Sequence, residues 1–254
     1  QNDELWVEEY CCSLINLAHN FKQVNRIVDA ANLEEKAVNI LNEYHQQNSN
    51  RWDKLYSKSL MAIANSLETI NKVDEANNFK EKARLILKER YEKNPHLWAY
   101  DYVICLKEIA ISYSETGRIQ DAIIVIKQAL AILEVLQSNN PKRWERILSK
   151  CLIDLASYYD DVGRTEDAIN YGEKALFLIE AIYAKNPDLH IGGYNSLLNN
   201  LSLTYDKVGR RDEAIKLSEK ALINIKSHYD KNPKYWAKNH SNTLNNHALF
   251  CYKS

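Results

Sequence analysis

Five cysteines, seven histidines and 34 carboxylates are the side chains through which this 254-residue chain could do chemistry. Their spacing brings no reactive set together. Cys11, Cys12, Cys105, Cys151 and Cys251 contain no C-x-x-C pair, so neither a dithiol redox motif nor a zinc knuckle is written. Cys105 and Cys151 occupy one position of a repeated pattern, where other copies carry Ser13, Ser59, Leu197 and Thr243. That column reads as a place for small or medium side chains, and the expectation is unpaired thiols in a reducing compartment. The histidines are scattered: His240 and His247 stand seven apart on one expected helix, and His19 stands alone. No His-Glu-x-x-His, phosphate-loop or nucleophile-elbow motif occurs. Glu8-Glu9 and Asp160-Asp161 are neighbours on expected exposed faces, suited to solvation rather than acid–base work. No catalytic residue, metal ligand or cofactor is assigned, and the segment by itself is expected not to be an enzyme.

The most regular charges are structural in expectation. Arg26, Lys72, Arg118, Arg164 and Arg210 recur at one position, each followed three residues later by Asp29, Glu75, Asp121, Asp167 or Glu213. This could be a functional charge ladder. Helix-end electrostatics explains it better: the cation sits near the last carbonyls of one helix and the acid in the first turn of the next.

Those helices follow from a period of 46 residues. All four prolines (Pro95, Pro141, Pro187, Pro233) keep it, as do all five tryptophans (Trp6, Trp52, Trp98, Trp144, Trp236), with His190 in the vacant slot. Such a period means one supersecondary unit copied along the chain. From Trp98, apolar residues at Tyr102, Leu106, Ile109, Ala110 and Tyr113 form one amphipathic stripe. Gly117 breaks it, and a second stripe runs through Ala122, Val125, Ala129, Leu130, Leu133 and Leu136 to Asn140-Pro141. The unit is therefore two antiparallel helices, A and B, of about 20 residues and roughly 30 Å each. Leu14, Leu60, Leu106, Leu152, Leu198 and Leu244 share a helix-A column, while small residues recur at Ala18, Ala64, Ala110, Ala156, Ser202 and Ala248. Small columns beside large ones let each pair pack on its neighbours. The turn residue is Asn25, Asn71, Gly117, Gly163 or Gly209, types that tolerate a left-handed cap.

Composition narrows the partners. A net charge of −1 argues against nucleic acid or membrane surfaces as partners, which usually call for a basic excess. No apolar run approaches the roughly 18 residues of a membrane span. The chain starts on Gln, without signal-peptide character. It is expected to be a segment of a longer protein, with residues 1–254 forming one superhelical domain.

These columns resemble the tetratricopeptide repeat. The resemblance rests on Leu106, Ile109-Ala110, Tyr113, Gly117, Ala122, Val125 and Ala129, repeated as Leu152, Leu155-Ala156, Tyr159, Gly163, Ala168, Tyr171 and Ala175. Residues 196–222 follow the pattern most closely, and the likeness extends over five helix pairs plus a sixth helix A. The period exceeds the family's roughly 34 residues by about 12, as in kinesin-light-chain-like arrays and in large bacterial signalling proteins. The resemblance implies an all-α, right-handed solenoid whose helices A line a concave groove. It also implies a non-enzymatic, cytoplasmic scaffold that binds a protein or peptide. The alternative is a sensor or regulatory arm of a larger bacterial NTPase or caspase-like signalling enzyme. Helical-repeat RNA recognition fits poorly, because the period is wrong and the groove lacks a basic stripe.

What all copies share is scaffold, so a site is sought in groove columns that vary. By the resemblance these include Lys58, Asn65, Ile104, Lys107, Ile111, Lys150, Ile153, Ser157, Asp160, Asn199, Leu203, Asp206 and Asn245. The lysines could meet acidic partner groups, Asp160, Asp161 and Asp206 would form an acidic patch, and Asn65, Asn199 and Asn245 could bond a peptide backbone. Ile104, Ile111, Ile153 and Leu203 would make an apolar anchor site, unless the long helices curl and bury them. Copy five departs from the rest through His190 and Gly192-Gly193, read as a loosened helix start or as a bend where a partner comes close. The last helix carries Leu244, Ala248, Leu249, Phe250 and Cys251 with no helix B after it, so chain continuation or self-association there is expected.

Overall fold

The computed structural model describes residues 2–252. Eleven helices account for nearly all of them, and no strand occurs among the described residues. The A helices are α1 (Asn2–Gln23), α3 (Ser49–Thr69), α5 (Pro95–Glu115), α7 (Pro141–Asp161), α9 (Pro187–Lys207) and α11 (Pro233–Tyr252). The B helices are α2 (Ile27–Gln47), α4 (Val73–Lys93), α6 (Ile119–Asn139), α8 (Thr165–Lys185) and α10 (Arg211–Lys231). Two compact units divide the chain between Ile109 and Ala110, inside α5. Consecutive helices pack from α1 to α4 in the first unit and from α6 to α11 in the second.

Each A-to-B turn is closed by the same two backbone bonds. Gly117 N–H donates to Ser114 O at 3.0 Å, and Arg118 N–H reaches back to Tyr113 O at 2.7 Å. This pair of bonds needs a left-handed residue, and φ is +59° at Asn25, +63° at Asn71 and +73° to +78° at Gly117, Gly163 and Gly209. The recurrent cation does more than face carbonyls. Arg118 lies 4.1 Å above the Tyr113 ring while its Nε donates to Asp121 at 2.7 Å. Arg26 on Phe21, Arg164 on Tyr159 and Arg210 on Tyr205 repeat the stack. Charge and aromatic face thus lock the turn together.

The B-to-A connection is one extended asparagine. Asn94 (φ −147°) ends α4 by donating its N–H to Arg90 O, and Pro95 starts α5. Proline suits a first helical position because its missing N–H would be unpaired there anyway. Helix α9 runs unbroken through Gly192 and Gly193.

In the first unit Trp52, Tyr56, Leu60, Ile63 and Ala64 are buried on α3, and buried Asp53 is held by His45 and Arg90. In the second, Ile169, Leu201, Tyr205, Ala214 and Phe250 form one core cluster. Phe250 therefore faces the body of its unit, whereas Leu244 and Leu249 of the same helix are exposed.

Candidate functional site

Hollows form where two successive A helices flank a B helix. In the first unit α3 and α5 flank a cavity of about 290 Å³ whose walls include Lys58, Asn65 and Ile104. Lys58 Nζ lies 3.8 Å from Asp101, and Asn65 Nδ2 donates to Glu108 at 3.3 Å. Half-buried Lys107 stands on α5 outside this lining.

The second unit has two hollows between successive A helices. Between α7 and α9, over α8, a cavity of about 290 Å³ collects Ile153, Ser157, Asp160, Leu203 and Asp206. Ala156, Ala168, Gly172 and Leu201 supply an apolar interior. Asp160 Oδ2 accepts from Lys207 at 2.6 Å, while its Oδ1 is buried without a hydrogen-bond partner. Asp206 meets Arg211 at 3.5 Å, so the expected acidic patch is partly offset by cations of its own chain.

Between α9 and α11 lies a more polar hollow of about 400 Å³. Asn199, Leu203 and Asn245 line it together with Asn200, Asn239, Asn242 and Asn246. Thr243 Oγ1 accepts from Asn195 at 3.0 Å and from Asn199 at 2.8 Å, and donates to Asn239 O at 3.0 Å. Asn195 and Asn199 thereby each give one amide N–H to Thr243, while their side-chain oxygens are buried and unpartnered. A buried carbonyl without a donor is costly, and at Asn199, which lines the hollow, a ligand N–H would relieve it.

The structure thus brings the sequence-predicted residues together in three groups. Ile111, half-buried on α5, and Lys150, exposed on α7, lie outside all three linings. The four expected apolar anchors, Ile104, Ile111, Ile153 and Leu203, are half-buried. Sequence reasoning missed Asp101, Gly172, Lys207, Asn200, Asn239 and Asn246. A search for asparagines three and four residues from the groove columns would have found Asn239 and Asn246. On the opposite, B-helix side a wider hollow of about 520 Å³ includes Leu148, Leu152, Leu178 and the exposed ring of Phe177, and it contains none of the predicted residues.

Burial governs the titratable groups in the cores. It pushes the Cys11 thiol up to about 11 and the Cys105 thiol up to about 12. It also raises the Tyr158 and Tyr205 hydroxyls, the latter further held by its bond to Glu173 at 2.5 Å. Among the described residues no group of three or more His, Cys, Asp or Glu could hold a metal ion, and no helix is long and apolar enough to cross a membrane.

Residues 196–223 match the family model described as tetratricopeptide repeat. A search of curated protein sequences finds no match. Among solved structures, a kinesin-light-chain-like protein with nearly identical TPR-like repeats from Podosopora anserina superposes with a TM-score of 0.63 at 21% identity, over 87% of this chain and 95% of that one. BtubC (BKLC) from P. vanneervenii gives 0.60 at 16%, over 87% and 88%. Pseudomonas aeruginosa pilF gives 0.58 at 14%, over 97% and 91%. At these identities the likeness is one of fold, and it agrees with the capped turns and small-residue columns described above. The chain has the fold of a tetratricopeptide-repeat array, with helix pairs recurring every 46 residues and residues 196–223 matching the family's model.

Proposed function

We propose that residues 1–254 act as one non-enzymatic interaction module that binds a protein or peptide along the hollows between successive A helices. Tetratricopeptide-repeat folds typically serve as protein-interaction scaffolds. The observation that carries the reading is the α9–α11 hollow, where Asn199, its side-chain oxygen buried without a donor, stands among Asn200, Asn239, Asn242, Asn245 and Asn246. An extended peptide offers N–H donors at regular spacing, and an amide-lined wall can accept them without selecting sequence. The reading includes a reducing, cytoplasmic setting, in which Cys11, Cys12, Cys105, Cys151 and Cys251 would stay as thiols.

Site-specific photo-cross-linking in cells tests it. A photoreactive residue at Ser157 or Asn245 is expected to capture a partner, and the same residue at Phe177 is not. Capture at Phe177 with none at Ser157 and Asn245 would move the interaction face to the B helices and reject the proposal.

A further inference from the structure

The B helices carry one column, Glu34, Lys80, Ile126, Gly172 and Ser218, that the groove residues do not explain. It is matched by a column in the last turns of the A helices: Lys22, Glu68, Ser114, Asp160 and Asp206. In copy one, Lys22 Nζ pairs with buried Glu34 at 2.7 Å. In copy two the signs are reversed, and buried Lys80 gives its ammonium to both oxygens of Glu68 at 2.6 Å. Copy three is neutral at both places, with Ser114 and buried Ile126. In copy five Ser218 bonds His247 at 2.9 Å, and Asp206 meets Arg211.

Copy four alone has the acid without a side chain opposite. Asp160 keeps the sign of Glu68, but Gly172 stands where Lys80 stood. Both line the α7–α9 cavity, where Lys207 holds Asp160 Oδ2 at 2.6 Å and only the buried Oδ1 has no partner. Asp160 also sits in the last turn of α7, where the helix dipole disfavours an anion. The cavity, about 290 Å³, lies at the lower edge of the roughly 300–1,000 Å³ of small-molecule sites and suits a single side chain. Its interior is apolar at Ala156, Ala168 and Leu201, and its rim carries the acids Asp160 and Asp206 with one cation, Lys207.

We infer that the Gly172 hollow is a specificity pocket for a lysine side chain of the bound peptide. Its methylene stem lies on the alanines and Leu201, and its ammonium pairs with Asp160 Oδ1, the oxygen that Lys207 does not hold. The inference rests on the peptide-binding reading above and names the side chain that this part of the array selects.

Methyl NMR tests it, with the leucine and isoleucine methyls of the intact chain as reporters. The probes are N-acetyl-lysine N-methylamide and its norleucine counterpart, which has a similar stem and no ammonium. The lysine probe is expected to shift Leu201 and Leu203 methyls saturably, and the norleucine probe to bind about tenfold more weakly or worse. Asp160→Asn should weaken the lysine probe by a similar factor. Gly172→Lys should abolish its shifts, because the chain then fills its own pocket. A Cβ at Gly172 would lie 3.0 Å from Leu201 Cδ1, so that variant requires Leu201 to yield, and Asp160→Asn decides the matter if it does not fold. Equal binding of both probes, an unaffected Asp160→Asn, or motionless Leu201 methyls would overturn the inference. Cross-links at Ser157 and Asn245 with motionless Leu201 methyls would leave the peptide-binding reading standing alone. Cross-links only at Phe177 with a filled pocket would do the reverse.

Discussion

Burial holds Cys11 and Cys105 as neutral thiols, with their titration pushed up to about 11 and about 12. The folded chain therefore keeps these protons at pH values where an unfolded chain releases them. Their contribution to stability is complete below the ordinary thiol value of 9.0 and declines as pH rises towards the folded values. The buried hydroxyls of Tyr158 and Tyr205 act in the same direction at higher pH. Urea unfolding is expected to show stability falling from pH 9 to pH 11, and Cys11→Ala with Cys105→Ala to flatten that fall. Thiol labelling of the native chain should mark exposed Cys251 first and reach Cys11, Cys105 and Cys151 only on unfolding. Native labelling of Cys105 at the rate of Cys251 would contradict the buried column. That column was legible from its residue types. Its companion pairs were not, because Lys80 and Glu68 stand twelve apart on two helices whose facing sides no single-helix period reveals.

Glycine has opposite meanings in different elements of this array. At Gly163 φ is +73°, and a Cβ would meet nothing within 4 Å, so only backbone strain opposes substitution. Gly163→Ala should cost about 1–2 kcal/mol. Gly192 and Gly193 lie inside continuous α9. A Cβ at Gly192 touches nothing within 4 Å, and one at Gly193 meets Ile179 at an ordinary 3.8 Å. Gly192→Ala and Gly193→Ala should each stabilise by up to about 1 kcal/mol through helix propensity. Denaturation of the three variants checks both signs, and a loss at Gly192 would mean that helix start is built to yield. Helix number, turn residues and proline starts were legible because each is a local preference repeated in register. The stacking of Arg118 on Tyr113 was not, since it depends on the chain reversing through Gly117 and returning the cation over a ring five residues back. Asn239 and Asn246 escaped for a related reason: the hollow beside α11 takes in more of that helix than the groove columns alone.

Packing at the scale of the chain runs between sequence neighbours, with α9 also touching α7 and α11 within its own unit. An array held this way has local stability: each pair is supported by its own interfaces, not by a shared centre. Leu60, fully buried on α3, and Leu198, fully buried on α9, stand in one column and in different units. Leu60→Ala should cost about 2–5 kcal/mol, the usual range for a buried leucine cavity. That loss should be spent where the cavity lies. Amide exchange is expected to accelerate in α2, α3 and α4 and to stay unchanged in α8, α9 and α10, with Leu198→Ala giving the mirror result. Acceleration of both sets by either substitution would mean that the chain unfolds as one cooperative body. The distinction bears on binding. If opening is local, a ligand seated between α7 and α9 stabilises only the copies it bridges. Exchange protection on ligand addition would then map the occupied hollow directly, copy by copy.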